Sequence, residues 1–212
     1  MKNEFYISFN VQQEQIEYAK ELVEYSLKNH PISNIWDKEK KEETEKLRMI
    51  GTLGEIIFAD IYKLPRPSRS FGAIDGQDFG KDFQLKTKTQ TFNVDIKTMR
   101  RKDNRFYKNY VLNIPARNIN RTDSLTDYYF CISLHEKDEK TTASLLGIVS
   151  KKEIIDGKIG ILYKKGTKRK RADKTFFTFY EDTYEVFFEN ISRPFINKRI
   201  QSLPSFKKHV LR

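Results

Sequence analysis

The stretch GKDFQLKTKTQTFNVDIKT, residues 80–98, alternates apolar and polar residues twice around a polar Thr/Lys/Gln turn, a pattern that points to a β-hairpin. In the second arm Phe92, Val94 and Ile96 take one face and Asn93, Asp95 and Lys97 the other, because successive side chains of a strand alternate. In the first arm Phe83 and Leu85 form the apolar set, leaving Asp82, Gln84 and Lys86 opposite. One core beneath both apolar sets limits the register. A turn of two residues (Lys88-Thr89) or four (Thr87 to Gln90) satisfies it, and the two-residue version sets Asp82 directly across from Asp95. Two carboxylates facing each other on a sheet repel. A divalent, oxygen-seeking cation between them would lift that penalty, and a nearby lysine would complete a site suited to phosphate chemistry.

The charge balance agrees with a phosphate-bearing partner. Forty Lys and Arg against 29 Asp and Glu give a formal net charge of +11, the electrostatic footprint expected of a nucleic-acid binder. At 212 residues, with no Pro/Gly/Ser-rich linker dividing it, the chain is expected to form a single domain spanning 1–212. The longest apolar runs, such as LLGIV at 145–149, fall far short of a membrane span, so no membrane partner is expected. The lone Cys131 lies inside the apolar run YYFCISL and reads as a buried, inert thiol. An intracellular, cytoplasmic protein without disulfides is the expectation, while the basic run KKGTKRKRADK leaves a nuclear address open.

Periodicity orders the rest. Residues 11–29 carry Ile16, Ala19, Leu22, Val23 and Leu27 at helical spacing and stop at His30-Pro31. A second helix is expected from Lys38 to Tyr62, with Leu47, Ile50, Ile57 and Ile61 as one stripe and Gly51, Glu55 and Ala59 stacked beside it, small residues letting Glu55 approach a sheet edge. Residues 64–80 read as a loop. Strands are expected at 110–115 and 127–134, the latter pairing with TTASLLGIVS, and Ser150 with Glu153 signals a capped short helix. Helices thus occupy 11–62, the core 45–160, and a strand-rich extension 160–212, where FFTFYEDTYEVFFENI supplies one or two strands.

Taken together, Glu55 in GTLGEIIFADIY, Asp82 in GKDF, and Asp95 and Lys97 in VDIKT resemble the PD-(D/E)XK nuclease superfamily in its order of helix, hairpin strand, hairpin strand. DYYFCISL followed by ASLLGIVSKKEI is similar to the strand pair and helix that complete many members, so the resemblance covers roughly residues 45–160. Lys81 stands where the motif has proline, and Asp75 and Asp78 are competing carboxylates in the same loop. The resemblance implies a restriction-endonuclease-like fold, a central mixed β-sheet flanked by helices. It further implies a Mg²⁺-dependent deoxyribonuclease of the restriction-endonuclease type, with Mn²⁺ able to substitute. Asp82, Asp95 and the Ile96 carbonyl would be metal ligands, Lys97 would act on the attacking water and the phosphate, and Glu55 would contact that water, Lys97 or a second metal.

Around this site Arg100, Arg101, Lys102 and Arg105 are placed to touch DNA near the cut, and Lys168, Arg169, Lys170 and Arg171 form a second phosphate-binding run. No aromatic residue directly neighbours that run, which argues against base stacking there. DNA is the expected partner, with a homodimer as a further option, and no small-molecule cofactor. His30, His135 and His209 are too scattered for a zinc site or a Ser/His pair, and no phosphate-cradling Gly-rich loop is present. The alternative is a non-catalytic basic nucleic-acid-binding module that keeps the nuclease fold.

Overall fold

The segment DYYFCISL is apolar on both faces, a composition suited to a strand covered on both sides. In the computed structural model, which describes residues 4–29, 38–68, 82–86, 89–101, 105–170 and 175–212 (backbone alone for 38–41), it forms β5 (Tyr128–Lys137), buried from Tyr129 to His135. Its partners are β3 (Thr91–Arg100), parallel to it, and β6 (Lys140–Ser150), antiparallel. β2 (Phe83–Lys86) closes one edge of this sheet against β3. On the other side β1 (Phe5–Asn10) inserts between β6 and β11 (Lys207–Val210), giving the six-stranded mixed order β11-β1-β6-β5-β3-β2.

Two helices cover one face. α1 (Gln13–Asn29) and α2 (Lys38–Tyr62) pack Leu22, Ile57, Phe58 and Ile61 against Ile7, Val94, Ile96 and Ile132. The limits of α2 match the expectation, but Leu47 is 61% exposed and Leu53, Ile56 and Phe58 take the core positions instead. The close approach to the sheet is made by Gly54 rather than by Gly51. A Cβ at Gly54 would lie 1.8 Å from Thr98 Oγ1, whereas one at Gly51 meets open space.

The opposite face is covered by a second sheet. It consists of β4 (Val111–Pro115), β10 (Thr183–Phe187) and β7 (Ile161–Tyr163), with β10 in the middle. Leu112, Ile114 and Val186 of this sheet share a core with Tyr129, Cys131 and Leu146 of the large one. The short helices α3 (Ala116–Asn120) and α4 (Lys151–Ile155) add Ile119 and Ile154 to that core, and Ser150 caps α4 by accepting from Glu153 N–H at 3.3 Å, as its sequence signals. A separate hairpin, β8 (Lys168–Lys170) and β9 (Phe176–Thr178), follows β7, and α5 (Lys198–Gln201) precedes β11. The class is mixed α/β, a large mixed sheet flanked by helices. The strand-rich region after residue 160 supplies β7 and β10 of the second sheet and returns β11 to the first.

One glycine lets β6 lie close against Ile191 and Ser192. The β5–β6 register shifts between Cys131 and Ile132, and at this bulge Gly147 adopts φ +131°, a region that L side chains rarely enter. A Cβ there would lie 1.8 Å from the Ser192 carbonyl oxygen, while neighbouring Ile148 exchanges both backbone hydrogen bonds with Ser192 at 2.9 Å. Gly147→Ala therefore combines backbone strain with overlap against main chain, and a loss of roughly 2–4 kcal/mol is expected. For a chain of this size that is a fall of about 5–15 °C in Tm by thermal unfolding. A Tm unchanged within a degree would show that this contact does not constrain the fold.

Candidate active site on the hairpin strand

The hairpin supplies the site. β2 pairs Phe83 with Val94 and Lys86 with Thr91, the register its alternation requires, which carries Asp82 to the level of Asp95. β2 ends at Phe83; Asp82 N–H donates to the Val94 carbonyl at 3.0 Å, and its carboxylate Oδ2 accepts from Ile96 N–H at 2.6 Å. Asp82 is therefore tied to the residue that separates Asp95 from Lys97. Backbone groups of β3 alternate in direction along the strand: Asn93 O and Arg101 N–H bond toward the β5 side, whereas Val94 O and Ile96 N–H bond to Asp82. The Ile96 carbonyl, which points with its own N–H, faces the edge where β2 has stopped.

Val94 and Ile96 enter the helix-side core, which turns Asp95 and Lys97 to the other face. There Asp95, 8% exposed, forms an ion pair with Lys97 Nζ at 2.5 Å, and Lys97 Nζ stands 5.5 Å from the Tyr129 ring centroid. Tyr129 Oη donates to the Asn118 carbonyl at 3.2 Å. Burial pushes the Tyr129 phenol well above its ordinary pKa, and the negative charge of Asp95 adds to the effect. Asp95, Lys97 and Tyr129 line a cavity of about 240 Å³ together with Asn118, Arg121, Ser124 and Thr126. Arg121 is held toward Asp123 by two hydrogen bonds of 2.8 and 2.7 Å. Sequence reasoning did not single out Tyr129, Asn118 or Arg121. The only signal was a polar run, RNINRTDS, between two strands, and nothing local ties it to Asp95.

Glu55 is half-buried on α2, one residue after the Gly54–Thr98 contact, so it lies on the helix side of β3, and neither it nor Asp82 lines the 240 Å³ cavity. Among the described residues no three His, Cys, Asp or Glu side chains converge closely enough to hold a metal by themselves. Asp75, Asp78, Lys81, Lys102 and Arg171 lie outside the described residues.

Comparison with protein-family models, with curated proteins and with solved structures gave no match.

The described members of the first basic run take different environments. Arg100 pairs with Glu136 at 2.6 Å on the solvent side, and Arg105 is exposed. Arg101 turns inward, its guanidinium 4.9 Å from the Tyr110 ring centroid and 5.2 Å from that of Phe188, while Nη2 donates to the Val111 carbonyl at 3.0 Å. Burial lowers the Arg101 pKa. The run at 168–170 forms β8, and it is not remote from aromatic residues: Arg169 pairs with Phe177 across β8–β9 and lies 5.9 Å from the Tyr163 ring. Sequence adjacency missed these rings because they arrive from a partner strand and from β7. Cys131 is fully buried and free, and burial raises its thiol pKa. His135 Nδ1 lies 3.1 Å from the Arg101 carbonyl and His209 Nε2 lies 2.7 Å from Ser8 Oγ, both packing positions. Among the described residues no helix is long and apolar enough to cross a membrane.

Proposed function

We propose that this chain is a divalent-metal-dependent deoxyribonuclease on a restriction-endonuclease-like core, with Asp82, Asp95 and Lys97 as its catalytic residues. One observation carries the reading. The Asp82 carboxylate sits on the Ile96 N–H, between Asp95 and Lys97, just before β2 begins to pair with β3. Two carboxylates and a carbonyl from adjacent positions of one hairpin offer oxygen donors only, and with no third acidic side chain beside them among the described residues, a bound ion would retain water ligands. That donor set fits Mg²⁺, with Mn²⁺ able to substitute. Bound there, the metal would supply Lewis acidity toward the scissile phosphate and toward water.

The protein's own groups have separable tasks. Asp82 and Asp95 hold the ion, while the hydrogen bond from Ile96 N–H fixes the Asp82 carboxylate in one orientation. Lys97, beside Asp95, orients the attacking water and offsets the negative charge that grows on the phosphate oxygens in an in-line displacement. Glu55, on the helix side of the same strand, serves as an auxiliary acid. The net charge of +11 brings the polyanion to the site.

The second reading, a basic DNA-binding module without catalysis, is favoured by one observation: the Asp95–Lys97 ion pair is also what a purely structural sheet face displays. Incubation with supercoiled plasmid and with circular single-stranded DNA separates the two. Cleavage is expected with Mg²⁺ or Mn²⁺ and none with EDTA. DNA retained in gel shifts but left intact under all metal conditions would replace the nuclease by the binding module.

A further inference from the structure

The outer face of the small sheet carries a carboxylate at the centre of a strand. Glu185, in the middle of β10 between Asn113 of β4 and Ile161 of β7, is 0% exposed. Among the described residues neither of its oxygens has a hydrogen-bond partner, and Arg169 Nη1 stands 3.0 Å from Oε1 as an ion pair without hydrogen-bond geometry. A buried carboxylate with unmet acceptors is disfavoured, and a Thr or Val would suit this strand position better. Glu185 lines a cavity of about 680 Å³, a size typical of ligand clefts. The other walls include Arg169 and Lys170 from the basic hairpin, Arg101 at the end of β3, and the rings of Tyr110 and Phe177. Three cations, two rings and one carboxylate thus converge on a single space.

Each component selects a part of the ligand. The cations suit a phosphate, with guanidinium groups the stronger binders. The rings suit a planar base. The carboxylate, acceptor-only with two oxygens side by side, suits two adjacent N–H donors. Of the four DNA bases, only guanine presents such a pair on its pairing edge, at N1 and the N2 amino group; cytosine and adenine place one donor beside an acceptor, and thymine places one between two acceptors. That edge is open only when the base is unpaired.

We propose that this cavity binds an unpaired guanine nucleotide, with Glu185 accepting from N1–H and N2–H, Phe177 and Tyr110 supporting the base, and Arg169 and Lys170 holding its phosphate. Occupancy requires Arg169 to turn from Glu185 to the phosphate, a movement open to a side chain 28% exposed. The cavity also stands close to the candidate active site. Arg101 follows directly on the end of β3, four positions after Lys97, about 13 Å at ~3.3 Å per residue. The inference rests on the nucleic-acid part of the function proposed above, and not on cleavage.

The test is fluorescence anisotropy of the full chain in EDTA, with labelled single-stranded oligothymidylates carrying one central dG, inosine, dA or dC, and with GMP as competitor. The dG strand should bind about tenfold or more tightly than the inosine strand, which lacks only the N2 amino donor. Glu185→Gln should bring the two within about twofold while leaving oligothymidylate affinity equal or higher, since one negative charge is removed. Phe177→Ala should weaken all four strands by about fivefold or more. Equal affinity for the four strands, or a dG preference that survives Glu185→Gln, would overturn the proposal. GMP competing as well as the dG strand would support guanine recognition and assign its source to the free nucleotide. Loss of base preference in a chain that still cuts DNA would sink this inference alone; base preference without cleavage would sink the nuclease reading alone.

Discussion

Asp95→Asn and Asp82→Asn are each expected to slow DNA cleavage by on the order of 10³ or more, while DNA binding holds or tightens. The amide is nearly isosteric, so packing around a residue only 8% exposed should survive, and at position 82 it still offers an oxygen to the Ile96 N–H. What changes is charge. Each substitution removes one anionic oxygen donor from the proposed ion and one negative charge from a surface meant to face phosphate. Measuring cleavage and filter binding on the same preparations distinguishes this from misfolding, which would lower both. Near wild-type cutting by both variants would remove the hairpin from consideration as the active site.

Lys97→Ala should slow the chemical step by on the order of 10² to 10⁴ while both acidic residues remain to hold metal. Loss of the ammonium leaves Asp95 without its partner at 2.5 Å, so metal affinity should rise rather than fall. Lys97→Arg discriminates further. A guanidinium cannot give up its proton, so activity in that variant would mean that the cation acts by charge alone. Single-turnover cleavage at saturating Mg²⁺ is the measurement, and a Lys97→Ala rate equal to the parent's would favour the binding module.

What could be read in the sequence was local. The alternation in 82–86 and 91–98 carried the hairpin and its register because a one-residue slip would turn Val94 and Ile96 out of the core. Helical spacing carried α2, and the continuous apolar run carried β5. The distant pairings were not legible. FYISFN became β1 only because β6 and β11 lie on either side of it, and KRK became β8 because Phe176–Thr178 pairs with it. For the same reason the nearness of Asp82, Asp95 and Lys97 on one hairpin could be read in advance, whereas that of Tyr129 and Arg121 to Asp95, or of Glu185 to Arg169, could not. Arg100 and Arg101 were legible as charges but not as opposite faces of a strand end. Their separate fates, one pairing with Glu136 and the other stacking on Tyr110, depend on where β3 stops.

The pairing of β1 with β11 bears on how the chain reaches this state during synthesis. Phe5 lies against Val210 and Ile7 against Leu145, so β1 is enclosed only after the other strands of its sheet exist. At ~5–20 residues per second, residues 5–10 would wait roughly 10–40 s for β11 on a translating ribosome. Through that interval Tyr6, Ile7 and Phe9, all buried in the finished protein, lack their final neighbours. Closure of so large a loop is entropically slow. β1 is therefore the strand of this sheet most exposed to mispairing and chaperone capture, being the one farthest in sequence from the strand that completes it.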